Sequence, residues 1–187
     1  MRLSLYLMVS VFILFVLGCA SSKNSEIAVQ QTKELDALME NGSFHFIAQW
    51  ARPLPSTGLN SIASSGLLPP GSNVGNIDLM GNTNYLKMSR DSVAAYFPYF
   101  GEHQIGGGGY PPTDTAIQFD GIPKNLSVEK NQKGYKVKFK IVHGTETYRI
   151  NAQLFPSKKG NINIISSHRF PIAYIGDLKA FSEGSLE

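Results

Sequence analysis

The sequence predicts a mainly β domain, an antiparallel meander of about eight strands, preceded by one N-terminal α-helix. Two observations lead there. After Gly42 apolar residues recur with period two, the mark of strands buried on one face only. Turn-forming runs punctuate that rhythm at close intervals, as hairpins require. The pattern leaves three closures open: a curved sheet, a sandwich or a small barrel.

The first eighteen residues stand apart from that domain. Arg2 gives a positive start, and Leu3 to Leu17 is apolar except for Ser4 and Ser10. This is the layout of a secretory signal peptide over residues 1–18. At about 1.5 Å per residue the apolar run reaches roughly 22 Å, short of a hydrocarbon core of ~30 Å. Val16-Leu17-Gly18-Cys19 resembles the lipobox of bacterial lipoproteins. The resemblance implies cleavage between Gly18 and Cys19, a diacylglyceryl group on the thiol, and an acyl chain such as palmitate on the freed amine. Several chains on one residue anchor firmly, whereas one holds only marginally. Cys19 is the single cysteine, so the fold has no internal disulfide to rely on. Residues 19–25 then read as the lipidated cysteine and a polar tether. No Asp follows Cys19 and no acidic cluster follows it either. The expected address is therefore the periplasmic face of the outer membrane.

Residues 26–42 read as the helix, with Ser25 as cap, Glu26 in the first turn and Asn41-Gly42 as the stop. Ile27, Gln31, Leu35, Leu38 and Met39 form an imperfect stripe suited to packing on the domain. The β domain is expected over residues 43–187. Phe44, Phe46, Ala48 and Trp50 alternate with His45, Ile47, Gln49 and Ala51. Tyr135, Val137, Phe139 and Ile141 alternate with Lys136, Lys138 and Lys140. Tyr148, Ile150, Ala152 and Leu154 form a third set, and Phe170, Ile172 and Tyr174 a fourth. Shorter candidates lie at residues 78–88, 93–97, 115–119 and 126–129. Asn131 to Gly134, His143-Gly144 and Ser157 to Gly160 are the hairpin turns. Arg52 to Asn76 and Gly101 to Asp114 break the rhythm and read as long loops, the kind that carry function or mobility.

Several of these segments resemble a domain-of-unknown-function family of Bacteroidetes lipoproteins. The most recognisable is Asp91-Ser92-Val93-Ala94-Ala95-Tyr96-Phe97-Pro98-Tyr99-Phe100-Gly101. Ala116 to Phe119, the Lys133-Gly134-Tyr135 turn, and Ser166 to Arg169 leading to Ile172 to Gly176 are similar too. The resemblance covers roughly residues 44–176. It implies the envelope address and the domain extent, and it names no reaction.

Composition narrows the function classes. With 17 basic and 14 acidic side chains there is no electrostatic case for a nucleic-acid partner. Gly106 to Gly109 lacks the Gly-Lys-Ser/Thr ending of a phosphate loop. His45, His103, His143 and His168 form no short-spaced metal pair, so no metal or other cofactor is predicted. Lys136, Lys138 and Lys140, with Lys130 and Lys133 before them, read as a solvated face or a charge-protected edge strand. The sharper alternative is attraction to anionic headgroups or an acidic envelope polymer. Tyr96, Tyr99, Phe100, His103 and Tyr110 gather around Pro98 and the glycine run, as core or as the lining of a ligand cleft.

Three functions follow in order. The first is a non-enzymatic module binding a small molecule or an envelope protein, held to the membrane through Cys19. The second is an envelope hydrolase acting on glycan or peptide, with Asp114, Asp120 and His103 as suspects. The third is a barrel carrying an apolar small molecule.

Overall fold

The hairpin turns read from the sequence organise a single antiparallel sheet. A computed structural model describes residues 22–104 and 116–180. Helix α1 (Ser22–Glu40) leads into β1 (Ser43–Pro53), and a short helix α2 (Thr57–Ser64) follows. Then come β2 (Ile77–Asp78), β3 (Tyr85–Ser89), β4 (Ser92–Pro98), β5 (Ala116–Gly121) and β6 (Lys124–Asn131). The last four strands are β7 (Gly134–His143), β8 (Glu146–Leu154), β9 (Lys159–Ser166) and β10 (Ile172–Ala180). The order across the sheet is β5-β4-β3-β1-β10-β9-β8-β7-β6, with β2 beside β1. Ten strands are present among the described residues rather than about eight, because residues 78–88 split into β2 and β3 and β9 adds a run that alternation did not single out.

The sheet curls into a half-barrel, which settles the choice among curved sheet, sandwich and barrel. Rings from distant strands meet on the concave face. Phe97 of β4 stacks on Tyr174 of β10 at 4.3 Å between centroids. Phe119 of β5 meets Phe139 of β7 and Tyr148 of β8 at 6.4 and 5.3 Å. Each of these rings is at most 3% exposed. Tyr135, Val137, Phe139 and Ile141 share that face as expected, with Tyr135 only partly buried at its rim.

Helix α1 begins at Ser22, so the expected cap at Ser25 falls inside it. It stops as expected: Gly42 adopts φ 64°, and its N–H reaches Met39 O at 3.1 Å. Leu35, Leu38 and Met39 pack on the core, while Ile27 and Val29 stay exposed.

Three other expectations need correction. Trp50 does not follow Phe44, Phe46 and Ala48 into the core. A β-bulge between Ala48 and Trp50 shifts the register, so Ala51 is buried and Trp50 turns outward. Gly176 makes the bulge possible, since a Cβ there would lie 2.0 Å from Ile47 O. Asn84 completes it: its side chain accepts from Ala48 N–H at 2.6 Å and donates to Ala48 O at 3.0 Å. That buried amide takes the place of strand pairing where β2 and β3 leave β1 uncovered. The run from Arg52 to Asn76 is not a structureless loop, because Ser56 caps α2 by accepting from Leu59 N–H at 3.2 Å. Phe170 lies before β10 and is 37% exposed, outside the buried set of Ile172 and Tyr174.

Candidate functional site

Two polar constellations stand out, one at an end of the half-barrel and one on its outer face. The first is built around Arg169, 4% exposed. Its Nε donates to Glu146 Oε1 at 3.0 Å, its Nη2 to Oε2 at 3.2 Å, and its Nη1 to Ala116 O at 2.9 Å. The guanidinium also sits 5.3 Å from the Tyr99 ring. Burial alone would push the Glu146 pKa up. Hydrogen bonds from Ser166, Tyr148 and Arg169 outweigh it and hold the carboxyl below its ordinary value. Burial also drives the Tyr99 phenol up to about 12. That hydroxyl donates towards Glu102 O at 2.9 Å and Phe170 O at 3.1 Å. Gly101 leaves it room, since a Cβ there would fall 2.3 Å from the Tyr99 oxygen. The cluster thus ties β5, β8 and the segment before β10 together.

The second constellation is a groove of about 510 Å³ on the outer face of β6 to β9. Its polar lining is Asn125, Ser127, Glu129, Lys138, Lys140, Arg149 and Asn151. Alternation along β7 and β8 puts the lysines and Arg149 outward while Val137, Phe139, Tyr148 and Ile150 point into the core. A register shift in β6 between Lys124 and Ser127 shapes the groove wall. Asn125 lies in that bulge at φ 54°, a left-handed conformation that asparagine tolerates better than most residues. β7 is second from the edge of the sheet, so its lysines are not protecting an edge strand.

A family model described as "Domain of unknown function (DUF4251)" matches residues 26–178. The chain belongs to the DUF4251 family. The match runs from the first turns of α1 to Leu178 in β10, so both constellations lie within the DUF4251 region. A crystal structure of a DUF4251 family protein from Bacteroides eggerthii is similar, at 11% identity and a TM-score of 0.52. The alignment covers 80% of this chain and 87% of that one, so the two share the fold. Comparison with curated proteins gives no match.

The DUF4251 fold separates the aromatic residues grouped by sequence. Tyr99 and His103 come together, with ring centroids 5.7 Å apart. Burial and then the Arg169 charge lower the His103 pKa. Phe100 is partly buried against the core. Tyr96 lies on the outer face opposite the buried Phe97, and pairs across strands with Tyr85. Tyr110, Gly106 to Gly109 and Asp114 lie outside the described residues, as do Gly18 and Cys19. Asp120 sits by His143, with 3.7 Å between Oδ1 and Nδ1, while the His103 backbone forms a β-bridge with Arg169. Among the described residues no three His, Cys, Asp or Glu side chains gather to hold a metal.

Sequence reasoning missed three features. It did not single out Glu146, Arg149 or the hollow of about 180 Å³ beside Trp50, where Arg52 Nε donates to Asn76 Oδ1 at 2.6 Å. The signal for Arg149 was its alternation with Tyr148 and Ile150. Glu146 and the Trp50 hollow depend on contacts across the fold that no local pattern announces.

Proposed function

We propose that this DUF4251 protein is a cell-envelope lipoprotein, anchored through lipid on Cys19 to the periplasmic face of the outer membrane. Its folded part binds a ligand or a protein partner without transforming it. The observation that carries the anchor is Val16-Leu17-Gly18-Cys19 at the end of an apolar run behind Arg2. Helix α1 starts three residues after Cys19, so the folded part rides close to its anchor.

The shape of the domain supports binding at its surface. An apolar carrier needs an empty interior, and the described concave face is filled by Phe97, Phe119, Phe139, Tyr148 and Tyr174. A hydrolase needs groups converging on one substrate atom. Asp120 instead lies beside His143, and the His103 ring lies against Tyr99, so these two suspects have different neighbours. The outer groove is open and sets polar and charged side chains beside apolar surface, which suits capture of an amphipathic or polar ligand from solution or from the membrane face.

Detergent phase partition tests the anchor. Wild-type protein from its own host is expected in the detergent phase, with a blocked N-terminus at Cys19, and Cys19→Ala in the aqueous phase. An intact segment from Leu3 to Leu17 in the mature protein would overturn the reading.

A further inference from the structure

The outer groove contains an electrostatic conflict. Register sets Lys124 of β6 opposite Lys140 of β7, and Lys140 opposite Arg149 of β8. Three cations therefore occupy one row on neighbouring strands, which lie about 4.8 Å apart. Like charges directly opposite one another destabilise a sheet. Among the described residues neither Lys140 nor Arg149 forms an ion pair or a side-chain hydrogen bond. Lys138, one row along, has only Glu129 at 3.9 Å, and that carboxylate also accepts from Ser127 at 2.7 Å. Three lysines outside the groove are matched closely: Lys130 with Asp36 at 2.7 Å, Lys158 with Glu34 at 2.7 Å, Lys159 with Asp177 at 2.5 Å.

We propose that the groove binds an anionic saccharide, a sugar bearing phosphate or carboxylate, with Lys140 and Arg149 on its charge. This rests on the reading of the protein as a binding module and names its ligand class. An anion between Lys140 and Arg149 replaces their repulsion by two charge-assisted hydrogen bonds. The flanking groups are Asn125, Ser127 and Asn151, whose amides and hydroxyl both donate and accept, as sugar hydroxyls require. Ile165 supplies an apolar patch to the lining, and the volume of about 510 Å³ lies in the range of small-molecule sites. The β6 bulge at Asn125 is the kind of irregularity that aims a side chain into a site.

Isothermal titration of the chain carrying Cys19→Ala, which the anchor reading places in the aqueous phase, tests this in detergent-free buffer. The soluble probe is glucose 1,6-bisphosphate, with glucose as the uncharged control. The membrane-borne probe is vesicles containing phosphatidylinositol, compared with vesicles of equal charge made with phosphatidylglycerol. Binding is expected for glucose 1,6-bisphosphate and not glucose, weakening with added salt. Lys140→Gln and Arg149→Gln are each expected to weaken it about tenfold without lowering the unfolding temperature. Lys136→Gln, which removes the same charge two rows along and outside the groove, is expected to stay within about twofold. Binding only to phosphatidylinositol vesicles supports the site and assigns the sugar to a lipid headgroup. Binding to neither probe overturns the proposal, as does an equal response to phosphatidylglycerol or an equal loss in Lys136→Gln. Failure here with Cys19-dependent partition intact rejects the groove alone. Groove binding without such partition rejects the anchor alone.

Discussion

Arg169 and Arg149 belong to the same half-barrel and have opposite surroundings. Arg169 is buried, with a carboxylate on one side, a carbonyl on another and an aromatic ring over it. Arg149 stands on the outer face beside Lys140, with no carboxylate paired to it among the described residues. A cation removed from water must be matched within the protein, because an unmatched buried charge is prohibitively costly. A cation left in water carries no such requirement, and its charge stays available to something else. The first arginine therefore closes the fold, and the second marks a surface for binding.

The largest effects should come from breaking the matched set. Glu146→Ala strands the Arg169 charge inside the protein and is expected to cost ~3–5 kcal/mol, measured by chemical denaturation. A loss below about 1 kcal/mol would mean that Arg169 finds water, and the contrast with Arg149 would weaken. Asn84→Leu comes next. It removes the amide that pairs with both Ala48 backbone groups, at about 1–3 kcal/mol for each group left buried without a partner. An unchanged midpoint would show that β1 pairs through the bulge without it.

A smaller effect separates buried from surface charge by pH. Burial first, then Lys87 and Lys179, lower the His45 pKa, and its Nε2 is buried without a hydrogen-bond partner. The unfolded chain takes up that proton near the ordinary value of about 6.5, the folded chain only at lower pH. Between the two the unfolded state binds more protons, so stability falls as the pH is lowered from 6.5 and is unaffected above it. His103 shifts in the same direction. His45→Phe should flatten part of that acid limb and raise stability by up to about 1 kcal/mol. Thermal melts at pH 7.5 and 5.5 measure both, and an unchanged difference between the two pH values would assign the acid limb to other groups.

Much of the fold could be read from alternation, for identifiable reasons. In β7 and β8 most outward positions are polar and most inward ones are aromatic or branched, so period two is visible. The bulge at Ala48 was invisible because one extra residue leaves no compositional mark, and Ala51, which is buried where Trp50 was expected, is apolar as well. Helix α2 was hidden by Gly58 and four serines in a stretch that reads as loop. The groove was half legible. Alternation placed Lys136, Lys138 and Lys140 on one face, but the row from Lys124 through Lys140 to Arg149 exists only once three strands are in register. The aromatic cluster shows the opposite error. Tyr96 and Tyr99 are near neighbours in sequence, yet the alternation of Val93, Ala95 and Phe97 already set Tyr96 outward.

One paired measurement tests the division of labour between fold and surface most directly: the unfolding free energies of Arg169→Gln and Arg149→Gln at neutral pH and low salt. The buried site is expected to lose about 3–5 kcal/mol, since Glu146 is left without its partner. The surface site is expected to stay within about 0.5 kcal/mol of wild type or to rise slightly, because a repulsion with Lys140 is relieved. Equal losses at the two positions would contradict the distinction and make Arg149 part of the fold.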